Sequence, residues 1–258
     1  MNALVLLGSM LALIAIGMPI AYSMGIAALV GALFIGIPWE AVALKLADGV
    51  SKFSLLAIPF FILAGGIMAE GGMAHRLVNL ANVFVGFIRG GLALVNVLAS
   101  MFFGGISGSS VADASSIGSI LIPIMEREGY DKEFAVNVTI TGSVQGILIP
   151  PSHNMVIYSL AAGGTVSIAQ LFMAGIIPGV LLGLFLMGLC VILSYQRQYP
   201  KGKMVPLRQA IGIVREALWG RVTIFIILCG VMFGIFTATE SAAVAALYYD
   251  WIASNAMR

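Results

Sequence analysis

Gly104-Gly105-Ile106-Ser107-Gly108-Ser109-Ser110 stands midway through residues 91–125, between two apolar runs of similar length, and Gly146-Ile147-Leu148-Ile149-Pro150-Pro151-Ser152-His153-Asn154 interrupts the next apolar segment. Neither run flanking the Gly/Ser cluster reaches the ~20 apolar residues that a membrane-crossing helix needs. The pattern fits a re-entrant helical hairpin that enters and leaves by one face and turns at the cluster. The other reading is one ordinary helix with a small-residue packing face, because Gly and Ser let membrane helices approach closely. In the second stretch Pro150 and Pro151 have no N–H, so the carbonyls of Gly146 and Ile147 lose their helical donors. Hydrocarbon cannot satisfy such acceptors, and broken backbone at membrane depth is tolerated only against protein or a polar cavity. Freed carbonyls beside a cavity suit a hard cation, and half-helix N-termini suit an anionic substrate group.

These two stretches sit in a chain of 258 residues that is 60% hydrophobic and 9% charged, with a mean hydropathy of +1.07. A soluble domain averages about 25% charged residues and about 45–50% apolar ones. One water-facing globule of this size has no means of hiding such an apolar excess, and disorder requires the opposite composition. A soluble enzyme is thereby excluded and an integral membrane protein is expected, all-α and polytopic. Thirteen Lys and Arg against eleven Asp and Glu give a net charge of +2, with no nucleic-acid footprint. Cys190 and Cys229 lie in apolar runs, which argues against a disulfide or metal framework.

Along the chain, residues 3–37 are apolar with a Gly-Met-Pro interruption at 17–19, and read as either one kinked helix or two short ones. Residues 54–69 form another candidate span. Residues 71–90 turn amphipathic around His75, Arg76 and Arg89, as an interfacial or tilted helix does. A charged island at 126–133 follows the hairpin segment. Residues 134–196 then carry no Asp, Glu, Lys or Arg, which leaves room for two crossings with a turn near Gly163-Gly164-Thr165. Residues 197–221 hold Arg197, Lys201, Lys203, Arg208, Arg215 and Arg221 against Glu216 alone. This stretch is placed in the cytoplasm by the positive-inside rule, which puts the charged island and Arg89 on the same face. A last span runs from 222 to about 237. The domain reading is 1–88 as N-terminal scaffold and arm, 89–164 as half of a moving unit with hairpin 91–125 and broken helix 134–164, and 165–258 as scaffold with a basic loop at 197–221.

The polar side chains at the two breaks, Ser107, Ser109, Asp113, Ser152 and Asn154, are the candidate substrate contacts. Asp113 is a charge at membrane depth and so a functional candidate; alternatively it serves the cap of a half-helix begun at Ser109 or Ser110. No arginine sits in an expected membrane segment to hold a carboxylate. Glu240 reads as a membrane-edge acid without an assigned role. Two competing functions follow from the same residues. Gly105-Ile106-Ser107-Gly108 fits an intramembrane serine protease pattern if His153 stands within hydrogen-bond reach of Ser107. An ion-conducting pore would instead use the hairpin tip as a filter.

With these motifs in view, the chain resembles the large membrane subunit of tripartite ATP-independent periplasmic (TRAP) transporters of the dicarboxylate/sialic-acid type. The resemblance is carried by residues 54–72 with Leu-Ala-Ile-Pro-Phe-Phe-Ile-Leu-Ala-Gly-Gly, by 89–130 from Arg89 through the Gly/Ser turn to Glu-Arg-Glu-Gly-Tyr, by 146–164 with Ile-Pro-Pro-Ser, and by Thr-Ala-Thr-Glu-Ser-Ala-Ala-Val from Thr237. It implies a multi-pass protein of the bacterial inner membrane that is not an enzyme. It also implies sodium-coupled uptake of an organic acid, C4-dicarboxylate or sialic-acid-like, by an elevator mechanism, with no organic cofactor. The implied partners are a periplasmic substrate-binding protein, a small four-helix membrane subunit and the lipid bilayer. Carried over from the family, a sodium site falls on Ser107, Gly108, Ser109 and Ser110 with carbonyls at Gly146, Ile149 and Pro151. The family's large subunit has two inverted repeats, whereas this sequence holds one hairpin and one Pro-Pro break. The chain is therefore expected to cover about the N-terminal half, to end atypically in residues 248–258, and to be inactive alone.

Overall fold

The computed structural model describes residues 2–202 and 204–255; Lys203 of the basic stretch and the last three residues of the atypical C-terminus lie outside the described residues. Among those described the chain is all-helical, in the order α1 (Asn2–Ala15), α2 (Ile20–Ile35), α3 (Trp39–Val50), a 3-10 turn (Phe53–Leu56), α4 (Ala57–Glu70), α5 (Met73–Val85), α6 (Gly91–Ser107), α7 (Ser110–Arg127), α8 (Lys132–Ser143), α9 (Gln145–Leu148), α10 (His153–Ala161), α11 (Ile168–Gln196), α12 (Leu207–Met232) and α13 (Ala238–Asn255). Two compact units divide at Lys52 and Phe53.

In the first unit α1 and α2 pack on each other, with Gly31 of α2 against the Leu6 side chain. Of the two readings of residues 3–37 the structure has two short helices. Gly17 takes a left-handed conformation (φ +91) and Pro19 caps the next helix, so the ladder cannot run through.

In the second unit the hairpin is the centre. Residues 91–125 form two helices that touch along their length, α6 and α7, and not a single one. The connection is only Gly108 and Ser109, so Gly104 and Gly105 stay helical and each arm is longer than the apolar runs suggest, at 17 and 18 residues. The arms are antiparallel: near the open end, Asn96 of α6 lies against Met125 of α7 and donates from Nδ2 to Thr139 Oγ1 of α8 at 2.7 Å. Leu77 and Leu80 of α5, Phe103 of α6 and Ile117 and Leu121 of α7 are fully buried in one cluster. The apolar stripe of α5 (Met73, Ala74, Leu77, Val78, Leu80, Ala81) is thus covered by protein, chiefly α6 and α12.

At the open end of the hairpin the charged island meets the start of the basic stretch. Arg197 Nη1 stands 2.6 Å from Asp131 Oδ2, the Tyr199 hydroxyl donates to the same oxygen at 2.7 Å, and Arg89 Nε donates to the Tyr199 carbonyl at 3.1 Å. The hydrogen bond from Tyr199, then that from Arg197, hold the Asp131 carboxyl below its usual range. Burial, then the facing carboxylate, push the Tyr199 hydroxyl up. The Tyr130 ring stacks on that of Tyr199 at 4.3 Å, and the Phe134 ring lies tilted against the Tyr199 ring at 5.1 Å.

The basic segment is not a loop throughout, because α12 begins at Leu207. Ala210, Ile213, Val214 and Ala217 recur at helical spacing and face the core, so tertiary packing draws a polar-looking stretch into helix. Thr237 and Glu240 form a reciprocal cap at the start of α13: the Thr237 N–H donates to Glu240 Oε2 at 2.8 Å and the Glu240 N–H to Thr237 Oγ1 at 3.3 Å. Glu240 thereby has a structural role.

Among the described residues one helix, Ile168–Gln196, is by itself long and apolar enough to cross a membrane, while α1, α2 and α6 are shorter apolar helices. Large apolar side chains are nonetheless exposed along most of these helices, among them Ile177, Phe185 and Ile192 of α11. Such faces need a covering apolar medium.

Candidate functional site: a hairpin tip seated in a helix break

The hairpin tip is built from its own short bonds. Gly108 adopts a left-handed conformation (φ +61) and donates its N–H to the Gly104 carbonyl at 2.9 Å, closing α6. Ser109 turns extended and caps α7, its hydroxyl accepting from the Ala112 N–H at 3.4 Å. The Ser107 hydroxyl reaches the Ser109 carbonyl at 3.4 Å, which ties the two sides of the turn together.

The helix break has the complementary shape. The backbone is helical to Leu148, extended at Ile149 and again at Ser152, and helical from His153. The Ile149 N–H still closes on Gln145 at 2.8 Å. Pro150 and Pro151 have no hydrogen to offer Gly146 and Ile147, as the sequence predicts.

The tip fits into the break by way of glycines. A β-carbon on Gly104 would overlap the Gly146 backbone, and one on Gly105 would stand 3.5 Å from the Pro150 carbonyl oxygen. A β-carbon on Gly108 would come within 2.7 Å of the Pro151 carbonyl oxygen and 3.2 Å of the Ser152 Cα, and one on Gly146 within 3.6 Å of the Ser109 carbonyl oxygen. Of the residues expected at a cation site, Ser107, Gly108, Ser109, Gly146, Ile149 and Pro151 are thus gathered in one contact zone. Ser110 opens α7 beside them. The N-termini of α7 and α10 converge here as well.

The expected substrate contacts divide. Ser107 and Ser152 are buried at the seam, and the Ser152 hydroxyl has no hydrogen-bond partner. Ser109 is half-buried at the turn, whereas Asn154 is exposed on α10. Asp113 is fully buried with neither carboxylate oxygen hydrogen-bonded. It faces Ser100 of α6 within the hairpin without a well-formed bond. Ser109, not Asp113, supplies the cap of α7. Gln145 Oε1 and His153 Nε2 are further buried polar atoms without partners. These four residues lie on the hairpin or the broken helix, with Ser194 Oγ of α11 and Ser241 Oγ of α13 as further partnerless atoms elsewhere; desolvation without a partner costs about 1–3 kcal/mol per group.

No hydrogen bond links Ser107 to His153. The serine is engaged with Ser109, and His153 Nε2 is unbonded while its ring packs on Phe61 at 6.1 Å. A serine protease needs that bond, so the arrangement does not favour one.

Residue spacing held a further signal. Gly175, Gly179 and Gly183 of α11 form a stripe at four-residue intervals. It lies on the break: β-carbons there would meet the Leu148 carbonyl, the Ile149 side chain and backbone, and Gln145 Oε1 respectively. The small-xxx-small pattern that permits such approach was present in the sequence. Gly65 of α4 closes the other side of the tip, where a β-carbon would stand 3.4 Å from the Ser107 Cα.

The chain thus sets helices with exposed apolar side chains around a glycine-walled seam of bare polar groups, an arrangement that fits a helical membrane protein of the transport class. It belongs to one family within that class. Residues 7–256 match the family described as "Tripartite ATP-independent periplasmic transporter, DctM component". The chain is 43% identical to the "Uncharacterized protein YgiK" of Salmonella typhimurium, with 95% of this chain and 57% of that protein aligned. It is 41% identical to the "C4-dicarboxylate TRAP transporter large permease protein DctM" of Rhodobacter capsulatus, over 98% of this chain and 60% of that one. It is 39% identical to the "Sialic acid TRAP transporter permease protein SiaT" of Haemophilus influenzae, over 90% and 38%. The chain therefore spans between 38% and 60% of the length of these relatives.

Proposed function

We propose that this chain is the ion- and substrate-handling part of a TRAP large permease that takes up an organic acid on a sodium gradient, in the bacterial inner membrane. The observation that carries the reading is the seating of Gly108 against the Pro151 carbonyl. It sets the oxygen-rich hairpin tip in the break, beside the Gly146 carbonyl that Pro150 leaves without its helical donor. Hydroxyl and carbonyl oxygens are ligands for hard cations, so Ser107, Ser109, Ser110 and the carbonyls of Gly146, Ile149 and Pro151 are assigned to the sodium ion that is carried. The converging N-termini of α7 and α10 bring two partial positive charges to the same seam, which favours a carboxylate. Relatives named for a C4-dicarboxylate and for sialic acid share that group, and the substrate class is set accordingly.

In this reading the hairpin is re-entrant and the tip and break travel together in an elevator movement. A small membrane subunit and a periplasmic binding protein complete the assembly. The test is thermal unfolding of the detergent-purified chain in sodium and in potassium chloride at matched ionic strength. Sodium should raise the midpoint in wild type and not in Ser107→Ala, since a ligand that binds only the folded state stabilises it. Equal midpoints in the two salts would remove the sodium assignment. For the assembly reconstituted in vesicles with both partners, uptake that persists when sodium is replaced by potassium would remove the coupling.

A further inference from the structure

A cavity of about 610 Å³ opens beside the base of the hairpin, between the α5–α6 connection and the end of α11, lined by Phe87, Arg89, Tyr195, Gln198 and Lys201 among others. Arg89 is held here by the backbone of the 199–201 segment, and the exposed Lys201 stands beside it. Residues 89 and 201 pair as an isolated antiparallel bridge, and Arg89 Nε donates to the Tyr199 carbonyl at 3.1 Å. The guanidinium carbon stands 5.6 Å from the centre of the Tyr195 ring. Ion pairs among the described residues join Lys52 to Asp48, Lys132 to Glu126 and Arg197 to Asp131, which leaves Arg89 and Lys201 without a carboxylate. Glu128 lines a separate neighbouring cavity that Lys201 also borders.

The surface next to these cations is apolar. Leu181, Phe185, Leu189, Ile192 and Tyr195 of α11 are exposed on one face of the helix that leads to the cavity. At 1.5 Å per residue the strip from 181 to 195 is about 21 Å long, more than the ~15 Å of one leaflet's hydrocarbon. Its end, where Tyr195 gives way to Gln198 and Lys201, has the residue pattern of a membrane–water boundary, where aromatic rings sit at headgroup level.

We propose that Arg89 and Lys201, with Tyr195 as an aromatic shelf, bind the phosphate headgroup of an anionic glycerophospholipid whose acyl chains lie along the exposed face of α11. The fixed Arg89 guanidinium and the neighbouring Lys201 can meet the two free oxygens of one phosphate diester, and the apolar strip that starts at the cavity mouth selects a lipid over a free phosphate. A lipid held here would wedge the base of the hairpin to the end of α11, next to the Asp131–Arg197–Tyr199 triad. The inference rests on the membrane placement of α11 but not on sodium coupling or transport, so it survives or fails separately from them.

The test is native mass spectrometry of the purified chain in mild detergent, titrated with phosphatidylglycerol, with phosphatidylcholine of the same acyl chains, and with inorganic phosphate. Wild type should retain phosphatidylglycerol in preference to phosphatidylcholine. Removing a cation near an anionic headgroup costs about fivefold in affinity, so Arg89→Gln/Lys201→Gln should weaken phosphatidylglycerol retention by roughly 25-fold and leave phosphatidylcholine unchanged. Lys201→Gln alone keeps the backbone bridge and should show the single-charge loss, which reads the site if the double variant fails to fold. Equal retention of the two lipids, no change in Lys201→Gln, or displacement of phosphatidylglycerol by millimolar inorganic phosphate would each overturn the proposal.

Discussion

A β-carbon on Gly108 would stand 2.7 Å from the carbonyl oxygen of Pro151, so the hairpin tip seats in the helix break only because residue 108 has no side chain. Gly108→Ala meets two costs, the left-handed backbone at about 1–2 kcal/mol and displacement from the break. Gly129 is a built-in control: it too has positive φ (+87), but an added β-carbon there meets nothing within 4 Å. Gly129→Ala should lower stability by the backbone term alone and keep sodium-dependent stabilisation, while Gly108→Ala should lower it further and abolish the sodium effect. Thermal unfolding in the two salts reads both.

The bond between Asn96 and Thr139 ties the hairpin to α8 in a fully buried setting. Interhelical hydrogen bonds in membranes average about 0.6 kcal/mol and reach about 1.7. Thr139→Val leaves the Asn96 amide with only the weak Met125 sulfur as acceptor, so a loss near the upper end is expected. Asn96→Leu combined with Thr139→Val should cost less than the sum of the single changes, as measured by a double-mutant cycle in detergent unfolding.

The triad at the hairpin base predicts a pH dependence with two limbs. Asp131 titrates below its ordinary 3.8 in the folded chain, so its contribution is present above that pH and is lost as pH falls through the lowered value. Tyr199 titrates above its ordinary 10.0, so its contribution is present below pH 10.0 and is lost as pH rises through the raised value. The triad's own contribution should be flat between the limbs. Asp131→Asn should flatten the acid limb, seen as a smaller drop of the unfolding midpoint below pH 4, as expected from proton linkage (about pH 4 being the ordinary Asp range).

The reciprocal cap of α13 gives a local prediction. Glu240→Gln keeps an acceptor but removes the charge that meets the Thr237 N–H and the partial positive charge of the helix start. Thr237→Ala removes the other half of the box. Amide hydrogen exchange of the first turn of α13 should quicken in both variants, more in Thr237→Ala, with the exchange of α6 unchanged.

Much of this was legible from residue types alone. The Gly/Ser cluster announced a turn because glycine is free at positive φ, and the turn fell on Gly108 and Ser109 within it. The Gly163-Gly164 turn, with both residues at positive φ, and the open carbonyls before Pro150 and Pro151 follow from the same local chemistry. Charge distribution put the 126–133 island and the 197–221 stretch on one face, and the structure adds that Asp131 and Arg197 pair directly. The Thr-x-x-Glu cap at 237–240 and the glycine stripe of α11 are likewise written in the residue spacing.

Sequence by itself determined where the chain turns, where it breaks and how apolar it is, because each of these depends on one residue's backbone freedom, missing hydrogen or transfer energy. Only the tertiary structure decided which break receives which turn. That pairing depends on surfaces from α4, α6, α9 and α11 approaching to backbone contact at Gly65, Gly104, Gly146 and Gly179, and van der Waals complementarity between distant segments has no signature in any one of them. The same holds for Asp113, whose place in the first turn of α7 was readable while its full burial opposite Ser100 came from the closing of the two hairpin arms.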